Sequence, residues 1–176
     1  MGELTKMNLS QYFGSLARYH AWATSRLLDE HLAHLSDAQW HQDCKLFFGS
    51  IHRTVNHLLV TDNLWHARLA EGVSPRMALD TELYHERDPL AAALRAAARR
   101  WAPWLATLDA ARLDGELDYT RSDGQQVCIP FALALGHAFN HPTHHRGQIS
   151  AALTGMDRPA PELDWSYLLQ QEAHNT

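Results

Sequence analysis

His137-Ala-Phe-Asn-His-Pro-Thr-His-His-Arg-Gly-Gln-Ile149 is the stretch whose reading decides the fold. Four of its residues are histidine. His141 and His145 are four apart, so on a helix they leave one face about one turn apart. Two imidazoles at that spacing can hold one metal ion. His137 falls on the same face one turn earlier and Gln148 about one turn later, while His144 points away. Ala134, Ala138 and Ala152 share that face, and their small size lets a second helix approach closely.

Composition bounds the remaining readings. A chain of 176 residues is long enough for one domain with a real core, so a single domain over 1–176 is expected. Hydrophobic residues are 45% and charged residues 20%, the balance of a globular protein. The net charge of −5, with no basic stripe, argues against a nucleic-acid partner. No apolar run is long enough to span a bilayer, which argues against a membrane partner. The opening residues, Met1-Gly-Glu-Leu-Thr-Lys6, lack the apolar segment of a signal peptide. Cys44 and Cys128 form neither a CxxC pair nor a disulfide framework, so a reducing, cytoplasmic setting is expected. A cysteine nucleophile is one role for either; a small buried side chain is the favoured one.

Helical periodicity accounts for most of the chain. Leu9, Tyr12, Phe13, Leu16, Tyr19, Ala23, Leu27 and Leu28 predict a helix over 8–34. Ser36-Asp-Ala-Gln39 has the form of a capping box before a short helix or turn. Residues 41–49 read as irregular. Ser50 is the expected N-cap of a second helix that runs to about Ala70 and stops at Glu71-Gly72. Asp62 falls within its apolar stripe of Ile51, Val55, Leu58, Leu59, Trp65 and Leu69. A carboxylate there must be paired or hydrogen-bonded. It serves either a histidine ligand on the last long helix or a buried donor such as a tryptophan indole.

Residues 73–86 read as a connection. Asp88 and Pro89 are the expected N-cap and first residue of a third helix, which Pro103 should kink or interrupt before about Leu108. Leu117, Tyr119, Asp123-Gly124, Val127 and Ile129 predict a short β-hairpin. Pro130 opens a fourth helix that runs to about Leu153, with Pro142 inside it and Gly155 as its stop. The tail from Pro159 carries Trp165, Tyr167, Leu168 and Leu169 and is expected to dock one more helical turn.

Three motifs resemble one family. Asn140-His-x-x-His-His-Arg-Gly-Gln148 resembles the last-helix signature of the DinB/YfiT-like superfamily of bacterial metal-binding proteins. Tyr19-His-Ala-Trp-Ala-Thr-Ser-Arg-Leu-Leu28 resembles its first-helix pattern, with Thr24 where asparagine is common. Val55-Asn-His-Leu-Leu-Val-Thr-Asp-Asn-Leu-Trp-His-Ala-Arg-Leu69 resembles its second-helix pattern. Periodicity alone does not prefer His57 over His52 or His66; the resemblance does, and makes His57 the third ligand beside His141 and His145. It implies an all-α protein, a four-helix bundle of the DinB/YfiT-like type with a short hairpin before its last helix, frequently dimeric. Asp62 and Gln148 are then candidate supports of the ligands, and His137 a supporting or core residue.

Three imidazoles leave a coordination position open, as in catalytic sites, whereas structural zinc is usually closed by four ligands. An all-imidazole set suits zinc or nickel, with iron also compatible. The resemblance implies a metal-dependent enzyme on a small-molecule substrate. Either it transfers a low-molecular-weight thiol or it hydrolyses. The alternative is a stress-related binding protein whose metal is structural.

Overall fold

Side-chain caps fix where the first three α-helices start in the computed structural model, which describes residues 7–175. Asn8 and Gln11 cap one another's backbone N–H groups and open α1 (Leu9–Arg26). The rest of the predicted first helix is a π-helical turn, Leu27–His31, and a 3-10 turn, Leu32–His34. Ser36 and Gln39 form the expected capping box before α2 (Asp37–His41). Ser50 caps α3 (Ile51–His66), whose π-helical extension Ala67–Glu71 ends at Gly72 with φ 68°. That left-handed conformation suits glycine.

The third helical region differs from expectation in its punctuation. Helix α4 (Arg87–Arg99) is preceded by Glu86 rather than Asp88, so Pro89 is its third residue. The break falls at Arg100, and α5 (Trp101–Thr107) begins before Pro103. Pro103 therefore lies in a first turn, where the missing N–H has no helical partner to lose. Strands β1 (Glu116–Thr120) and β2 (Gln126–Pro130) pair antiparallel, Leu117 opposite Ile129 and Tyr119 opposite Val127. Gly124 supplies the positive φ, 90°, of the connecting turn. Helix α6 (Phe131–Gly155) runs through Pro142 without a break, and α7 (Trp165–His174) forms the tail. The described chain is thus mostly helical with one small antiparallel sheet, and no helix in it is long and apolar enough to cross a membrane. Residues 1–6, read above for a signal peptide, lie outside the described residues.

Helix α1 packs on α4 and α6, and α3 packs on the same two. The core between them is in two apolar parts. Leu28, Trp40, Ile51, Val55, Leu90, Leu94, Ile149 and Leu153 fill one; Phe13, Trp65, Trp101, Phe131, Leu135 and Phe139 fill the other. A layer of buried polar side chains separates them. Asp62 Oδ2 accepts from His20 Nε2 at 2.7 Å, and its Oδ1 accepts from Trp101 Nε1 at 3.0 Å and Arg100 at 3.2 Å. Arg146 donates to His20 Nδ1 at 3.2 Å and to Thr143 Oγ1 at 2.9 Å, and lies over the Tyr19 ring.

A guanidinium can only donate, so His20 Nδ1 must accept and its Nε2 must carry the proton given to Asp62. Burial is the largest influence on both groups. It lowers the His20 pKa despite Asp62. For Asp62 burial acts upward, but the His20 hydrogen bond and the His20 and Arg100 charges outweigh it and hold the carboxyl below its usual value. The layer therefore contains a neutral imidazole between an anion and a cation. Replacing Asp62→Asn removes the ion-pair partner of Arg100 and the nearby negative charge that offsets buried Arg146. Loss of one partner from such a buried charge network costs about 3–5 kcal/mol. Urea unfolding in metal-free buffer should show a loss of that order, with zinc affinity close to wild type.

Candidate metal centre

The Asn56-His57 pair shows how α3 builds the site. Asn56 Oδ1 accepts from the backbone N–H groups of Leu83 (2.8 Å) and Tyr84 (3.1 Å), and its Nδ2 donates to Tyr84 O at 3.0 Å. These bonds pin the irregular connection after α3 against the helix. The same connection brings Leu79 O to 2.7 Å from His57 Nδ1. A carbonyl cannot donate, so Nδ1 carries the proton and His57 Nε2 is left as a lone pair.

Helix α6 supplies the other two rings. His145 Nδ1 donates to Gln148 Oε1 at 2.8 Å, which leaves its Nε2 as a lone pair too. His141 Nε2 lies 3.2 Å from both His57 Nε2 and His145 Nε2. One proton on His141 could satisfy only one of those neighbours. A cation among the three nitrogens satisfies all of them. Tetrahedral coordination at about 2.0–2.1 Å gives N···N separations of about 3.3 Å, close to those observed. The donor set therefore fits a metal ion, and the three histidines are a group that could hold one.

Burial and neighbouring rings keep these imidazoles in the form a metal needs. Burial lowers His57 to about 4, against the opposing hydrogen bond to Leu79, and His141 to about 3, with His145 and His57 adding to the effect. His145 is lowered chiefly by burial as well. Neutral imidazole is the metal-binding form. Phe48 stacks on His57 with centroids 3.9 Å apart and planes 26° apart, and lies 5.8 Å from His145. It thus covers one side of the cluster. The other side is wetter: His141 is half-buried and His137 exposed. The His137 ring packs 4.8 Å from Trp65 and 5.6 Å from His141.

The structure therefore brings His57, His141 and His145 together, with Gln148 bonded to one of them and His137 alongside. It does not bring Asp62 to them. Of the two roles considered for Asp62, its partners are the Trp101 indole and His20, neither of which belongs to the cluster. The five-residue step from His57 to Asp62 turns them to different sides of α3. The cysteines also depart from expectation. Cys128 is exposed on β2, where Asp118 and then Glu116 push its thiol up to about 11. Cys44 is half-buried, and burial raises its pKa. Neither is disposed to act as a thiolate nucleophile. Leu79 O and Phe48 were invisible to periodicity because both lie in irregular segments. Asn56 stood in the quoted motif, and its side-chain role emerges only in three dimensions.

An all-imidazole cluster between two helices, one ring from α3 and two from α6, is a group that could hold a metal ion in a mostly helical protein. The family model for the DinB family matches residues 5–174, nearly the whole chain, and the protein belongs to that family. No curated protein and no solved structure matched the sequence.

Two substitutions separate support from ligation. Gln148→Leu removes the acceptor that orients His145, and losing such a partner weakens metal affinity about 10–100-fold. Zinc titration against a chromophoric chelator measures it. His137→Ala should leave zinc affinity within error of wild type; a loss as large as that of His145→Ala would make His137 a ligand.

Proposed function

We propose that the chain holds one divalent ion through His57, His141 and His145 and is a metal-dependent enzyme acting on a small molecule. The favoured reaction is transfer of a low-molecular-weight thiol to an electrophile, with hydrolysis as the other. The convergence of three Nε2 atoms, with no fourth His, Cys, Asp or Glu in the group among the described residues, carries this reading. Zinc or nickel is the expected ion, and iron suits the same ligands. Such an ion supplies the positive charge that makes a coordinated thiol or water acidic near neutral pH.

The chain's own residues would do the rest. Leu79 O and Gln148 hold two rings in the tautomer that offers Nε2. Phe48 keeps water from one side of His57. His137 stands beside His141 with one side open to solvent and its ring against Trp65, its pKa lowered by that partial burial and then by Arg68, and is the base we assign to receive the thiol or water proton. The helices α1, α4, α3 and α6 would form the four-helix bundle of the family, in a single domain. Homodimerisation belongs to the same proposal, supported by exposed Leu9, Tyr12 and Leu133 on α1 and α6. So does a cytoplasmic location, supported by the two free cysteines.

Anaerobic purification with elemental analysis, followed by a screen of thiols (glutathione, bacillithiol, mycothiol) against electrophiles, tests the reading. Metal should be present near one ion per chain and disappear in the His141→Ala/His145→Ala variant together with turnover. His137→Ala should keep its metal and lower kcat by about 10²–10⁴-fold, the span of general-base contributions. A firmly held ion that raises the melting temperature but supports no turnover with any thiol or water-labile substrate would favour the alternative, a structural metal in a stress-related binding protein.

A further inference from the structure

Arg68 carries a buried charge that no anion of the chain meets. Two arginines are buried among the described residues, Arg146 at 2% exposure and Arg68 at 8%. Arg146 has acceptors in His20 and Thr143. Among the described residues Arg68 has neither a hydrogen-bond acceptor nor a carboxylate partner. A guanidinium is seldom buried unless it is paired. Glu71, on the same turn, is directed instead to His66 Nδ1 at 3.3 Å. The Arg68 Nε is wholly enclosed, whereas the two terminal nitrogens are not, so the fork of the guanidinium is the part a ligand can reach.

Aromatic rings take the place of a counter-ion. The Arg68 Cζ lies 4.9 Å from the centroid of Trp65 and 4.6 Å from that of Tyr119 on β1, and the two rings are 5.5 Å apart. A ring face attracts a cation but does not accept its N–H groups as a carboxylate does. The same Trp65 ring lies 4.8 Å from His137, which lies 5.6 Å from His141. Arg68 is therefore two rings away from the three-histidine cluster, on the side that Phe48 leaves open. His57 and Arg68 are eleven residues apart, about three turns, so both lie along one side of α3 and its extension. Arg68 belongs to the π-helical turn Ala67–Glu71, a rare geometry that is frequent at functional sites. Burial, and then the Arg121 charge, lower the Arg68 pKa, against Tyr119.

We propose that Arg68, with the Trp65 and Tyr119 rings beside it, is a subsite for the carboxylate of the small molecule that reacts at the three histidines. Its place in a reaction rests on the function proposed above; the binding of an anion does not. The ligand is an organic acid whose carboxylate stands several bonds from its thiol or electrophilic carbon. The two terminal nitrogens match the two oxygens of a carboxylate. Arg68 sits on the last helical turn before Gly72, where the negative end of the helix dipole disfavours a dianion, so a carboxylate is preferred to a phosphate. Thiols that carry a carboxylate are accordingly preferred to those that carry none.

The first test uses the full chain stripped of metal, so that no ion at the histidines can hold the probe. Nuclear magnetic resonance follows the Trp65 indole N–H signal, identified by its loss in Trp65→Phe, while glutarate is added. Neutral glutaramide is the control. In wild type the signal should shift saturably with glutarate and stay in place with glutaramide. Arg68→Met should abolish the shift, and Arg68→Lys, which keeps the charge without the fork, should weaken binding about tenfold. Circular dichroism checks the fold of each variant. The subsite fails if wild type shows no saturable shift or if Arg68→Met shifts as wild type does, and phosphate binding more tightly than glutarate overturns the carboxylate class. The second test loads the chain with cobalt and follows thiolate-to-cobalt absorption with glutathione and with its dimethyl ester. Arg68→Met should lose about tenfold in affinity for glutathione and nothing for the ester. Equal losses for both would show Arg68 acting through the fold and overturn the subsite. A chain that holds no cobalt, or whose cobalt takes neither thiol, overturns the proposed function instead, and the glutarate titration still decides the subsite.

Discussion

The Asp62 carboxylate, buried between two apolar clusters, is the constraint that aligns the helices. A carboxylate away from water costs several kcal/mol unless its oxygens are satisfied. Here both are. His20 comes from α1, Trp101 from the first position of α5, and Arg100 from the break between α4 and α5. Arg146 of α6 closes the layer through His20. Each helix must deliver its polar residue at one level. A slip of one turn, about 5.4 Å, would place a charge against leucine and phenylalanine. The apolar clusters supply most of the stabilisation, but hydrophobic contact is non-directional and tolerates sliding. The polar layer does not.

That alignment also makes the three-histidine cluster. His57 lies five residues before Asp62 on α3, and His145 immediately precedes Arg146 on α6. Arg146 is held by His20 and Thr143, so the side chain before it is turned away, toward α3. The same level of α3 presents His57 to it. The triad and the ionic layer are thus two sides of one polar seam across the helices. This accounts for how a cluster of imidazoles can sit within a mostly apolar protein. The break at Arg100 fits the same picture. Its guanidinium also bonds Asp62 O at 3.1 Å and Asn63 Oδ1 at 2.9 Å, which ties the junction of α4 and α5 to the middle of α3.

Much of this was legible in the sequence, and the reasons differ by residue. Ser36, Ser50, Gly72 and the Asp123-Gly124 turn were readable because caps and turns are local chemistry. His141 and His145 were readable because a four-residue step on a helix is geometry. Asp62 was conspicuous as a carboxylate in an apolar stripe, but its partners come from three other segments and no local rule names them. His57 needed the family pattern, since its flank position gave no periodic signal. Pro89 misled by two residues as a helix start, and Pro103 by three as a break, since the interruption falls at Arg100. Proline is tolerated throughout a first turn, so it marks the neighbourhood of a helix start and not its first residue. The cysteines misled because a free thiol is usually buried, while Cys128 falls on the solvent side of a two-stranded ribbon.

The connection between α3 and α4 has no regular structure, yet it is fixed as firmly as a strand would be. Three side chains of α3 hold it: His52 through Tyr84 O, Asn56 through Leu83 and Tyr84, and His57 through Leu79 O. Two of the three are histidines, and one of them, His57, belongs to the three-histidine cluster. A carbonyl that accepts from Nδ1 raises the basicity of the opposite nitrogen and sets its direction. The path of this segment therefore tunes His57 as a ligand, although none of its own side chains joins the triad. A substitution that straightens the segment acts at the three-histidine cluster from the outside, by removing Leu79 O from His57. It acts on His52 at the same time, through Tyr84 O. His52 and His57, turned apart on one helix, are linked by a single stretch of backbone that the side chains of α3 anchor and that in turn orients them.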